Sequence, residues 1–294
     1  MSWSSSTSRA VVTRIWMKSP GKPGWVHEEA GMRRIADALE VCRQDGRLAF
    51  IPYITAGDPD PETTLDLVRM LADEGADMIE LGVPFSDPLA DGVTNQRAAM
   101  RALAAGMNLA TVLDLVARVR KTVKVPLVLF TYFNPIYRMG VEAFARRASQ
   151  AGVDGVLVID LPPDEDKRYR RTLTATGLDP IFMLAPNSSD RRRELVAACT
   201  EAFIYYISRA GVTGVRDDLP AGLREDVARL RLTCNRPVVV GFGVSRREHL
   251  LALEGKADGV VVGSALVRVV EEVGGGAAAV TGIRNVVRNL LGRS

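Results

Sequence analysis

The chain has 294 residues, 47% hydrophobic and 25% charged, with a net charge of +3, so it holds enough apolar material for a sizeable core while staying solvated. The mild basic excess forms no stripe with interleaved aromatics, which argues against a nucleic-acid partner, and no apolar run reaches the roughly 18 residues of a membrane span. A Ser-His-Asp, Cys-His or His-ligated metal site would have to use one of only two histidines, and both, His27 and His249, lie away from the Gly- and Asp-rich turns described below. Acid–base chemistry therefore falls to carboxylates, tyrosine or lysine.

Residues 1–28 are rich in Ser, Thr, Arg and Lys, with no acidic residue before Glu28. They are expected to form a flexible, non-catalytic extension. Their acid-poor character is also similar to an organellar transit peptide, although a cytoplasmic location is the expectation. The odd, widely spaced Cys42, Cys199 and Cys234 fit buried thiols in a reducing compartment.

Met32 opens the first well-patterned helix, and residues 29–294 show no linker. Strands are expected at Ala49–Thr55, Asp77–Val83, Pro126–Tyr132, Gly155–Asp160, Pro180–Leu184, Ala202–Ser208, Pro237–Gly241 and Ala257–Gly263. Helical patterns fall between and after them, over 61–74, 109–121, 140–151, 164–176, 189–199, 220–232, 245–254 and 277–291. Eight strand–helix units predict one α/β domain, a (β/α)8 TIM barrel with an N-terminal extension. An open doubly wound sheet is the alternative, but no G-x-G-x-x-G follows the first strand.

Chemistry in such barrels sits at the C-terminal ends of the strands. In the second strand Met78, Glu80 and Gly82 share one face and Ile79, Leu81 and Val83 the other. The apolar set suits the helices, so Glu80 is expected to point into the barrel mouth, with Gly82 leaving space above it. A carboxylate there must be paired, protonated or functional; an interior salt bridge is one alternative, yet no Lys or Arg stands at a matching strand end. Asp87 and Asp91 follow in a Pro- and Gly-containing loop. Each alone reads as a turn cap, but beside a strand-end glutamate they allow separate acid and base roles.

Three glycine-bearing turns follow the late strands, at Gly211–Gly214, Gly241–Gly243 and Gly263-Ser264. The last two follow strands seven and eight, where backbone amides and a helix N-terminus often meet phosphate. Arg209 and Arg216 are explained equally well as solvated loop residues.

The run from Ile79 through Glu80, Pro84-Phe85-Ser86-Asp87-Pro88 and Asp91-Gly92 resembles the signature of tryptophan synthase alpha chains. Further matches follow in order: Ile51–Pro59, Tyr132–Pro135, Asp160–Pro163, Ser208–Gly214, Gly241-Phe242-Gly243 and Val262-Gly263-Ser264. The resemblance spans about residues 32–291. It implies a lyase that cleaves indole-3-glycerol phosphate to indole and glyceraldehyde 3-phosphate in tryptophan biosynthesis. Glu80 would protonate indole C3, Asp91 would bind the indole N–H, and the Tyr205 hydroxyl would lie near the reacting glycerol. Gly214, Gly243, Gly263 and Ser264 would hold the phosphate. Tyr53, Phe130, Phe242 and Val261 would wall the indole, and Thr213 would close over the site. The resemblance also implies an alpha2beta2 heterotetramer, with Pro84, Asp87, Pro88 and Asn134 meeting the beta subunit. No cofactor or metal is expected in this chain, since pyridoxal phosphate would belong to the beta subunit.

The sequence departs from the family after Asp91-Gly92. It reads Val93-Thr94-Asn95-Gln96, with Asn95 in place of an apolar residue at the base of the loop, where it is expected to alter loop rigidity or the partner-facing surface. Two rival functions are a free-standing indole-3-glycerol phosphate lyase and a non-catalytic regulatory subunit. A sugar-phosphate epimerase on the same fold would call for His and metal, or paired Asp, at strand ends.

Overall fold

The computed structural model describes residues 34–165, 167–200, 202–207, 219–220, 222–241 and 243–293. The expected extension at 1–28, with His27, and the predicted site residues Thr213, Gly214 and Phe242 lie outside the described residues, as do Arg209 and Arg216.

Eight parallel strands close into a barrel in sequence order. They are β1 (Ala49–Thr55), β2 (Ile79–Gly82), β3 (Leu127–Thr131), β4 (Gly155–Val158), β5 (Asp179–Leu184), β6 (Ile204–Ile207), β7 (Val238–Gly241) and β8 (Gly259–Val262). Pairing of Ile51 with Val261 and Pro52 with Val262 closes the ring between the first and last strands. The described helices before and between the early strands are α1 (Arg34–Gln44), α2 (Pro61–Asp73), α3 (Val93–Ala104), α4 (Leu109–Val119), α5 (Phe133–Met139) and α6 (Val141–Ala151). They continue with α7 (Lys167–Ala175), α8 (Asp190–Cys199), α9 (Leu223–Cys234), α10 (Arg247–Leu253), α11 (Ser264–Val273) and α12 (Gly276–Leu291). This is the (β/α)8 barrel that the repeat pattern predicts. Helices α3, α5 and α11 lie outside the predicted helical patterns. Among the described residues no single helix is long and apolar enough to cross a membrane.

Strand alternation sorts the core into two shells. Ile51, Tyr53, Met78, Val128, Phe130, Leu157, Tyr205, Val239 and Val261 fill the barrel interior. Phe50, Ile54, Ile79, Leu81, Leu127, Leu129, Val240 and Val262 pack outward against the helices. The helix α1 closes the bottom of the interior with Ile35, Leu39 and Cys42. A Cβ on Gly155 would meet Ile35 Cδ1 at 2.7 Å, so the glycine opening β4 makes room for that plug.

The bottom is tied by a device that repeats at alternate strands. Asp77, Asp154 and Asp258 precede β2, β4 and β8, and each accepts a backbone N–H from the strand before: Phe50, Leu127 and Val238 respectively, at 2.8–2.9 Å. Each also pairs with arginine, Asp77 with Arg47, Asp154 with Arg120 and Arg34, and Asp258 with Arg231. Hydrogen bonds and partner charges offset the cost of holding these carboxylates out of water.

Candidate active site

Glu80 projects from β2 into the barrel, where it is 2% exposed. Oε2 is buried without a hydrogen-bond partner. Burial first, and then the negative charge of Asp91, pushes the carboxyl up to about 8. No cation among the described residues opposes that shift, so the interior salt bridge that the sequence left open is not formed there. Glu80 is thus held largely protonated at neutral pH.

Asp91 lies at the end of the loop after β2, just before Gly92, the N-cap of α3. Burial raises its pKa, and donation from the Tyr132 hydroxyl opposes that rise. The Tyr132 hydroxyl donates to Asp91 Oδ2 at 3.0 Å, and Asp91 Oδ1 is buried without a hydrogen-bond partner. The pair therefore divides as two carboxylates in contrasting settings should. Glu80 Oε2 has no donor and the group favours its protonated form, whereas Asp91 accepts from the Tyr132 hydroxyl, which favours its charge.

Two tyrosines complete the interior wall. Tyr53 from β1 lies over Gly82, where any Cβ would overlap its hydroxyl, and Tyr205 from β6 lies over Gly241 in the same way. The space expected above Gly82 is therefore filled by Tyr53: the glycine serves the tyrosine. Phe130 stands between them, edge-on to Tyr53 at 5.6 Å and tilted against Tyr205 at 6.4 Å between ring centroids. Burial, followed by the charge of Asp91 for Tyr53 and of Glu80 for Tyr205, raises both phenols well above their usual value, so both stay protonated.

A pocket opens at this mouth, lined by Tyr53, Glu80, Phe130, Tyr205, Gly243, Val261, Gly263 and Ser264. These eight predicted residues are brought together, with Asp91 acting on Glu80 and both tyrosines from beside them. At one end of the pocket, α11 starts at Ser264 after Gly263. Leu266 and Val267 donate back to the Gly263 carbonyl at 2.8 and 3.1 Å. The Ser264 and Ala265 amides precede that ladder and, as at any helix start, suit an anion. Gly243 takes a left-handed φ of +83°, which an L side chain would resist.

Sequence reasoning missed three residues here. Asn95 and Val244 also line the pocket, so Asn95 belongs to the site, whereas it was expected at the base of a loop. Tyr132 appeared only within a motif, yet it anchors Asp91. His249 is nearer the Gly243 turn than expected, since its Nδ1 accepts the Ser245 N–H at 3.3 Å; it does not line the pocket. On the rim, Asp160 accepts the Phe133 N–H at 2.7 Å, fixing the start of α5 from the neighbouring strand end. Asp87 is exposed and accepts from Ser86 at 2.5 Å.

Known proteins match this chain along most of its length. The family model for the tryptophan synthase alpha chain matches residues 39–290. The chain is 47% identical to the tryptophan synthase alpha chain of Opitutus terrae over 82% of its own length and 91% of the relative's. With that of Dechloromonas aromatica the identity is 50%, covering 82% and 90%. Among solved structures, a chain from the tryptophan synthase a2b2 complex of Pyrococcus furiosus superposes with a TM-score of 0.78 at 44% identity, covering 84% of this chain and 98% of that one. The tryptophan synthase alpha chain of Legionella pneumophila gives 0.79 at 33% identity, covering 89% and 97%. With a family match over most of its length, on a barrel whose mouth carries the paired carboxylates, the chain belongs to the tryptophan synthase alpha chain family.

Proposed function

We infer that the chain is the alpha subunit of a tryptophan synthase and cleaves indole-3-glycerol phosphate to indole and glyceraldehyde 3-phosphate. The observation that carries the mechanism is the unequal pair: Glu80 protonated by burial, and Asp91 held by Tyr132. Glu80 delivers its proton to indole C3, and the positive charge that develops on the ring nitrogen is stabilised by the Asp91 carboxylate. Loss of the proton from the C3′ hydroxyl then opens the C3–C3′ bond. Its electrons return to the ring to restore indole, and the carbonyl of the aldehyde forms. Glu80, now a carboxylate in reach of the glycerol, takes that proton and is reset. Tyr205, protonated throughout, is placed to hydrogen-bond the reacting hydroxyl.

Tyr53, Phe130 and Val261 wall the ring, together with Phe242. The amides at Gly263 and Ser264 take the phosphate with Gly243 and Gly214, and Thr213 closes the site. No step calls for a cofactor in this chain, and pyridoxal phosphate is assigned to the beta subunit. A cytoplasmic setting suits the three free cysteines.

The beta subunit docks on the face carrying the Pro84–Asp91 loop and α5. Leu89 is 88% exposed, Tyr137 71% and Val93 59%, a run of apolar side chains that a partner would cover. Asp87 and Asn134 lie on the same exposed stretches. A free-standing lyase would have no use for that surface. Cleavage in D2O tests the reaction class: released indole should carry deuterium at C3, and indole free of deuterium would rule out delivery of a proton from an exchangeable acid.

A further inference from the structure

We propose that Gln96 is a positioning residue for this reaction, clamping the turn that carries Asp91 so that its carboxylate meets the Tyr132 hydroxyl. The inference rests on the role given above to Asp91.

Asp91 closes a tight turn. Its N–H donates to the Pro88 carbonyl at 3.0 Å, the bond that closes a β-turn, here with Leu89 and Ala90 at its tip. The helix α3 begins two residues after Asp91, and the Gln96 N–H donates to the carbonyl of its N-cap, Gly92, at 2.9 Å. That bond is the first of the helical ladder, so the Asp91 carbonyl falls one residue outside it. Asp91 is only 7% exposed, and a buried carbonyl left without a donor is costly. The glycine at the N-cap has no side chain with which to tie the turn to the helix.

Gln96 supplies that tie. From the first turn of α3 its side chain reaches back past the N-cap, and Nε2 donates to the Asp91 carbonyl at 2.9 Å. The same nitrogen donates to the Pro88 carbonyl at 3.4 Å, a longer contact. A primary amide carries two N–H groups, one for each oxygen. Facing two carbonyls, it can present only its NH2 end. One side chain therefore spans the turn from its first residue to its last.

The consequence reaches the carboxylate. The Tyr132 hydroxyl accepts the Ala90 N–H and donates to Asp91 Oδ2, each at 3.0 Å. Tyr132 thus holds the turn from the end of β3, while Gln96 holds its backbone from α3. Leu89, at the tip, is 88% exposed, so packing on the tip does not fix the turn. Without the Gln96 amide the Asp91 backbone is free to rotate, and Oδ2 is no longer set against the Tyr132 hydroxyl.

The test uses the full-length chain with Gln96→Met, Tyr132→Phe, the two combined, and Asp91→Asn. Indole release from indole-3-glycerol phosphate is measured together with thermal unfolding. Methionine keeps the length of the side chain and removes both N–H groups. Gln96→Met is expected to lower kcat about tenfold with KM within about twofold of the wild type. Its melting temperature should fall by only about 2–4 °C, as for one lost hydrogen bond. Because Gln96 and Tyr132 serve one carboxylate, their losses should not multiply, and the combined variant should lie within about threefold of Gln96→Met alone. A wild-type kcat in Gln96→Met overturns the proposal. So does a combined variant that loses the full product of the two single effects, the result for two independent structural supports. If Asp91→Asn turns over normally, the role of Asp91 fails and takes this inference with it. An impaired Asp91→Asn beside a normal Gln96→Met defeats the inference alone.

Discussion

The Tyr132 hydroxyl donates to Asp91 Oδ2 and accepts the Ala90 N–H, each at 3.0 Å, so one side chain after β3 fixes both the carboxylate and the backbone of the loop after β2. Phe85 from the same loop packs on the Tyr132 ring at 5.1 Å, holding it in that orientation. A hydrogen bond to a charged acceptor is worth about 1.5–3 kcal/mol. Tyr132→Phe keeps the ring contact and removes the hydroxyl. It should lower kcat/KM at least about tenfold, with the larger loss at acidic pH, where Asp91 more readily takes a proton. Steady-state kinetics at two pH values checks this.

Glu80→Gln should abolish cleavage while the protein folds, because an amide cannot give and regain the proton. Stability supplies a second readout. The folded-state pKa of Glu80 is raised to about 8 from 4.5, so the folded protein binds more protons than the unfolded chain between those values. The wild type is therefore relatively most stable below about pH 4.5 and loses that share as pH rises through about 8. Glutamine does not titrate. Urea unfolding at about pH 5 and about pH 8.5 should show the variant gaining on the wild type by a few kcal/mol at the higher pH. Equal stability differences at the two values would mean that Glu80 is not held protonated.

Gly263 serves two neighbours at once. A Cβ there would stand 3.2–3.4 Å from Cδ1, Cβ and Cγ of Tyr53, and it would crowd the first amides of α11. Gly263→Val should weaken binding of glyceraldehyde 3-phosphate by about tenfold or more. The accompanying loss of stability should be about 1–3 kcal/mol, the usual cost of overpacking. Calorimetric titration decides the matter, and an unchanged affinity would move the phosphate elsewhere.

Much of this site was legible in the sequence because it depends on local rules. Period-two alternation put Glu80 inward and Leu81 outward, and the eight-fold repeat placed the Gly263 turn at the same mouth as Glu80. What escaped depends on contacts between distant segments. Tyr132 and Asp91 are 41 residues apart, and Asp160 secures α5 across 27, so neither partner is visible from its own neighbourhood. Gly82 was read as empty space because nothing near it announces the Tyr53 side chain crossing from the next strand. Asn95 is a different case. Its helical spacing to Ala98, Ala99 and Ala102 was readable, but the residue was weighed as part of the loop it follows, and the helix face went unread.

The central claim is that this barrel is a catalytic alpha subunit whose loop after β2 is completed by a partner. Loop closure of this kind orders catalytic groups and excludes water. The most direct measurement is the rate of indole release from indole-3-glycerol phosphate by the isolated chain, with and without a cognate beta subunit. The isolated chain should turn over slowly and accelerate at least about tenfold with the partner, equivalent to about 1.4 kcal/mol of transition-state stabilisation, and Asp87→Ala should remove much of that gain while sparing the isolated rate. Absence of indole in both conditions, or a fast isolated rate indifferent to the beta subunit, would contradict the account.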